Sequence, residues 1–108
     1  MRPPRIGALR DRLTLESASR VDDGGGGATV AWVAVAEVWA DVQPISGEER
    51  LRHDAVTASL THQVWLRHRS DVVPAMRFRA GTRILDIVAV LDCGPRQHLQ
   101  CLCEERHL

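Results

Sequence analysis

The chain has no lysine and no tyrosine, and its only aromatic residues are Trp32, Trp39, Trp65 and Phe78. So few rings make a poor stacking platform for single-stranded nucleic acid. Fourteen arginines are cancelled by fourteen acids, which removes any bulk attraction to nucleic acid or to an anionic membrane. No apolar run approaches the ~20 residues that a membrane helix needs. The opening "MRPPRIGALRDR" has no apolar core of signal-peptide length, which predicts a protein made and kept in a cytoplasm. Three cysteines are an odd number, which argues against a closed disulfide framework and for reduced thiols. What is present is an ordinary globular composition, 44% apolar and 26% charged over 108 residues. That length predicts a single domain, residues 1–108, with one modest core.

Period-two alternation dominates the pattern. Leu9, Leu13 and Leu15 fall on one side of a strand, spoiled only by Asp11, with Arg10, Arg12, Thr14 and Glu16 opposite. Residues 17–28, "ASRVDDGGGGA" and its flank, break the alternation and read as a flexible Gly-rich hairpin loop. Val38, Ala40 and Val42 then alternate with Glu37, Trp39, Asp41 and Gln43 until Pro44 stops the strand. Ser46 followed by Glu49 has capping-box spacing, so residues 45–58 read as a short polar helix or loop insertion. Further on, "SLTHQVWLRHR", "MRFR", "TRILDIVAVLD" and "QHLQCLCEE" each read as strands. In "TRILDIVAVLD", Leu85, Ile87 and Ala89 oppose Ile84, Val88 and Val90, which predicts a strand covered on both faces. The sum is a mainly β chain: a small antiparallel barrel or rolled sheet of about six strands, one short helix and long loops.

Chemistry is scarce. A phosphate loop needs GxxxxGK[ST] between strand and helix; the chain has no lysine, and a strand follows the glycines. His98, Cys101, Cys103 and His107 are a fair set of soft metal ligands, but their spacing is not that of a zinc knuckle. Two cysteines sharing a strand face with Leu99 pack more readily as small hydrophobes. No GxSxG motif accompanies the histidines, and Glu48 and Glu49 would diverge on a helix. His62 and His68 share a strand's apolar face by parity and read as core or interface residues. Neither a catalytic site nor a cofactor is predicted.

The order of the segments carries more. "DRLTLE", a Gly/Asp loop, "VWADVQPISGEE" (Val38 to Glu49), "THQVWLRHR" (Thr61 to Arg69), "RILDIVAV" (Arg83 to Val90) and "LQCLCEE" succeed one another along residues 8–105. This succession resembles the head–tail joining proteins of tailed bacteriophages, also called head-completion, connector or stopper proteins, which have relatives in gene transfer agents. The glycine run is longer than the family's usual single glycine, and the end, "ERHL", is short. The resemblance implies a structural, non-enzymatic virion protein, assembled in the bacterial host cytoplasm. It implies a homo-oligomeric ring of six or twelve subunits that closes the DNA-filled head. The portal or adaptor would lie above that ring and the tail terminator or tail tube below, with DNA passing through without sequence-specific binding.

Within that frame residues 1–8 are an N-terminal arm. Asp22, Asp23, Gly24, Gly25, Gly26 and Gly27 form a hairpin tip that orders against a neighbour. Glu48, Glu49, Arg50 and Arg52 line or gate the channel. Trp39 and Trp65 either anchor the contacts between subunits or finish the core. Two other classes remain as alternatives: a small nucleic-acid-binding barrel, and a metal-dependent hydrolase.

Overall fold

A computed structural model describes residues 9–46, 60–92 and 98–107. They form six antiparallel strands and contain no helix: β1 (Asp11–Asp22), β2 (Ala28–Pro44), β3 (His62–Arg67), β4 (Arg77–Ala80), β5 (Arg83–Asp92) and β6 (His98–His107). The order β1-β2-β3-β6-β5-β4 returns to its start, because β4 pairs with β1 and closes the sheet. The mainly β architecture expected from the alternation is therefore observed. The helix expected in residues 45–58 falls, from residue 47 onward, outside the described residues, as does the N-terminal arm 1–8.

A closed sheet this small is filled by its own side chains. Leu13 and Leu15 from β1, Val64 and Leu66 from β3, Phe78 from β4 and Leu85 from β5 meet inside it, together with Cys101 and Cys103 from β6. The parity read from the sequence places each of them correctly. Asp11, which spoiled the apolar face of β1, sits at the rim, where its Oδ2 accepts the Val42 N–H at 3.1 Å. A polar residue at an inward position thus ends the core rather than interrupting it.

β5 corrects the pattern in one place. The register shifts between Ile87 and Ala89, so a bulge at Val88 exchanges the two faces for the remainder of the strand. Leu85 and Ile87 point inward, but after the bulge it is Val90 that packs on the inner core, while Ala89 joins Val88 and Leu91 outside. There they meet Ile45, Leu60 and Leu102 in a second apolar cluster. Leu60, expected to share a face with Val64 and Leu66, belongs to this outer cluster because it precedes β3.

The larger correction concerns residues 17–28. β1 does not end at Glu16 but runs on to Asp22, paired with β2 from Ser17↔Val33 to Asp22↔Ala28, so the loop shrinks to 23–27. These six further pairs have no third strand beside them, because β4 leaves β1 at Glu16. They make a two-stranded arm about 20 Å long at ~3.3 Å per residue, on a molecule measuring 49 × 28 × 26 Å. Apart from Ser17 and Trp32, half-buried at its root, the arm is exposed on both faces and so offers no alternation to read.

The closing seam is short, only Thr14↔Arg79, Leu15↔Phe78 and Glu16↔Arg77. Leu15 and Phe78 are fully buried against this seam. Phe78→Ala should therefore cost about 3–5 kcal/mol, a large part of a small domain's stability. Val30→Ser on the exposed arm should stay within about 0.5 kcal/mol. Denaturant midpoints check both, and equal losses would contradict the closed core.

Candidate functional site

The arm starts at a buried charge cluster. The Glu16 side chain is 6% exposed, and its Oε1 accepts from Arg77 Nε at 2.7 Å, with Arg79 Nη1 at 3.6 Å from the other oxygen. The Arg77 guanidinium also lies over Trp32 of the arm, 4.1 Å from the ring centroid. One arginine thus ties body (β4), strand root (Glu16) and arm (Trp32) together. The β1–β2 register slips at this root, between Leu15 and Glu16. A bulge there increases local twist and sets the direction in which the ribbon leaves.

The four glycines form a built turn. Gly24 and Gly26 have φ of 81° and 86°, the left-handed region where a Cβ is costly. A Cβ on Gly27 would stand 2.8 Å from Asp23 Oδ2. Asp23 Oδ1 accepts from the N–H groups of Gly25 and Gly27 at 2.8 and 3.2 Å, and Asp22 Oδ1 from Gly24 N–H at 3.2 Å. The two aspartates organise the tip through such local bonds, as Asp does in turns. Gly25 has an ordinary φ and an open Cβ position, 3.6 Å from its nearest neighbour.

A shallow groove lies near the opposite end of β1. Leu9, Arg10, Trp39 and Arg67 line a space of about 510 Å³, and it continues past Glu37, His68 and Arg69. Trp39 is 56% exposed. Arg12 lies 5.8 Å from its ring centroid and pairs on its other side with Glu37. Arg69 forks onto Asp71 at 3.0 and 2.9 Å, which raises the arginine's pKa and lowers the carboxyl's. Arg67 makes no ion pair among the described residues.

The two tryptophans singled out by sequence part company. Trp39 is 56% exposed, whereas Trp65 is 2% exposed, so of the two alternatives read for them Trp39 keeps the interface one open and Trp65 takes the buried one. It lies on the outer face of β3 beside an amide ladder that the strand pattern does not reveal. Gln100 Nε2 donates to Gln63 Oε1 at 2.8 Å, and Gln63 Nε2 to Gln43 Oε1 at 3.2 Å. Gln43 Nε2 in turn donates to Asp41 Oδ2 at 2.7 Å. Glutamines on three strands far apart in the chain leave no local signal in a sequence; only the register aligns them.

Of the soft-ligand set, the His107 side chain lies outside the described ones, and the other three are not brought together. Cys101 and Cys103 point into the core, while His98, an odd number of residues away, points to the opposite face of β6. No group of three potential ligands converges among the described residues. Burial pushes the Cys103 thiol well up, and its Sγ donates to the Cys101 carbonyl at 3.6 Å. His62 is half-buried, 2.9 Å from Thr61 Oγ1 and 3.7 Å from Glu105. Desolvation lowers its pKa despite that carboxylate. Glu48, Glu49, Arg50 and Arg52 lie outside the described residues.

Comparison with known proteins gives a family and two structural likenesses. The profile of the phage head completion proteins matches residues 4–106. Head completion protein gp7 of Enterobacteria phage HK97 is 34% identical over 71 residues, 66% of this chain and 63% of that protein, less than two thirds of its length. The solution structure of protein SF1141 from Shigella flexneri 2a superposes with a TM-score of 0.79 at 30% identity, over 94% of this chain and 96% of that one. A chain of the virion of a native gene transfer agent particle superposes with a TM-score of 0.64 at 31% identity, over 97% and 99%.

The root cluster generates a test of its own. Arg77→Ala leaves the buried Glu16 carboxylate with only the more distant and more exposed Arg79 and should cost about 3 kcal/mol, with faster amide exchange along 17–22 and 28–33. Arg12→Ala removes an exposed pair and should cost less than about 1 kcal/mol. Similar losses for the two variants would mean that Glu16 does not depend on Arg77.

Proposed function

The chain belongs to the phage head completion protein family, and from that premise we propose that it is a non-catalytic structural component of a tailed-phage or gene transfer agent particle. Copies of it form a ring between the portal or adaptor and the tail, close the filled head, and offer the surface on which the tail docks. The observation that carries this reading is the family match over residues 4–106, nearly the whole chain. The closed sheet suits the task, because a subunit in a pressurised channel needs a rigid body with few deformable edges. The arm and the exposed Trp39 supply surface that the body itself does not use.

Particles from the source made without this chain should have filled heads that lose DNA and carry no tails, and adding the purified chain should restore attachment. Normal tailed particles without it would overturn the reading.

Within the same proposal Glu48, Glu49, Arg50 and Arg52 face the channel. Their mixed charge suits a conduit, because a wall of unpaired arginines would hold phosphates with salt-dependent affinity. Particles carrying Glu48→Arg with Glu49→Arg should eject DNA more slowly at low salt, and the difference should fade as salt rises. Ejection unchanged at every ionic strength would place these residues away from the channel.

A further inference from the structure

Six large apolar side chains are exposed among the described residues: Val21, Val30, Val33, Val35, Trp39 and Val73. Four belong to the arm or its root and a fifth lines the groove; Val73 alone lies elsewhere. Both surfaces are therefore apolar where a monomer gains nothing from it. An isolated two-stranded ribbon is also marginal in water, so the arm lacks the partner that its composition calls for.

Charge distinguishes the two surfaces. The tip carries Asp22 and Asp23, with Arg20 set back from it. The groove presents Arg10 and Arg67, both exposed, beside Trp39, and His68 follows; its acid, Glu37, is paired with Arg12, and its Arg69 with Asp71. Tip and groove lie at opposite ends of one strand, roughly 35 Å apart at ~3.3 Å per residue, so a chain cannot fill its own groove. An arm of about 20 Å is nevertheless long enough to reach well across a neighbour 26–28 Å wide.

Gly25 supplies a third observation. Backbone conformation accounts for Gly24 and Gly26, and the Asp23 carboxylate for Gly27. Nothing among the described residues requires glycine at 25. With glycine at all of 24–27, only the Asp22 and Asp23 side chains project from the tip.

We propose that the hairpin tip of one copy, Asp22 to Gly27, docks in the Leu9–Arg10–Trp39–Arg67 groove of the next copy. Asp22 faces Arg67, and Val21, the apolar side chain next to the tip, covers Trp39. This rests on the ring reading above and specifies its lateral contact. Joining different surfaces head to tail generates a closed ring when the rotation per copy closes, so one repeated contact would define the assembly.

Two experiments on particles from the source test it. With Asp22→Cys and Arg67→Cys combined in one chain, oxidation of assembled particles should give a ladder of linked chains, and neither single variant should. Chain present in the particles without a ladder overturns the docking and leaves the virion reading intact. Wild-type chain absent from particles overturns both. In parallel, Asp22→Arg or Arg67→Glu alone should lower the yield of tailed particles by roughly tenfold or more, and the combined variant should recover most of it. Normal yield from the single variants overturns the proposal, as does a double variant no better than either. So does a result in which Arg67→Glu weakens binding of duplex DNA by the purified chain and leaves particle yield unchanged.

Discussion

The ion pair between Glu16 and Arg77 stands where two requirements of this fold meet. On one side of it β4 pairs with β1 and closes the sheet; on the other β1 continues alone with β2 as the arm. A buried carboxylate is tolerable only with its countercharge, since desolvation costs several kcal/mol per ion. The guanidinium that supplies that charge also covers Trp32. Closure and arm direction therefore share one side chain. Hydrophobic packing at Leu15 and Phe78 holds the seam shut, but it carries no information about where the ribbon points. The charge cluster does, because it spans body and arm.

Legibility followed burial. Where one face of a strand is packed and the other wet, as in Leu13–Leu15, Val64–Leu66 and Leu99–Cys103, the alternation is in the sequence and the core could be named from it. Beyond Trp32 at its root the arm has no packed face, and Val21, Thr29 and Val30 are exposed, joined by the ladder and by a bond from the Thr29 hydroxyl to the Val21 carbonyl at 3.4 Å. No period betrays such a ribbon. The signal that was present is compositional: β-branched residues flanking a short Gly/Asp stretch, as in many hairpins. The bulge at Val88 was invisible for another reason. It lies in a strand that is apolar on both faces, so exchanging inside for outside changes nothing in the pattern.

The site was legible in part. Trp39 and the Asp/Gly tip stand out in the chain, and both are solvent-facing in the fold. Trp65 stands out equally and is buried. It shares its outward parity with Trp39, so parity alone could not separate them; what differs is whether anything covers that sector of the sheet. Glu16, Arg77 and the Gln43–Gln63–Gln100 ladder were beyond reach, since each draws its meaning from residues far apart in sequence that the register makes neighbours.

A net charge of zero argues against an electrostatic role, and for the chain as a whole that argument stands. Net charge, however, is a sum over a body 49 Å long, while screening at physiological salt confines an exposed charge's influence to about 8 Å. Acids gathered at a tip and bases gathered in a groove some 35 Å away act independently at that range. Under the docking proposed above, each end would meet the opposite charge on a second copy of the same chain. Segregation of this kind is how a protein of zero net charge can carry a local electrostatic contact without a bulk attraction to nucleic acid.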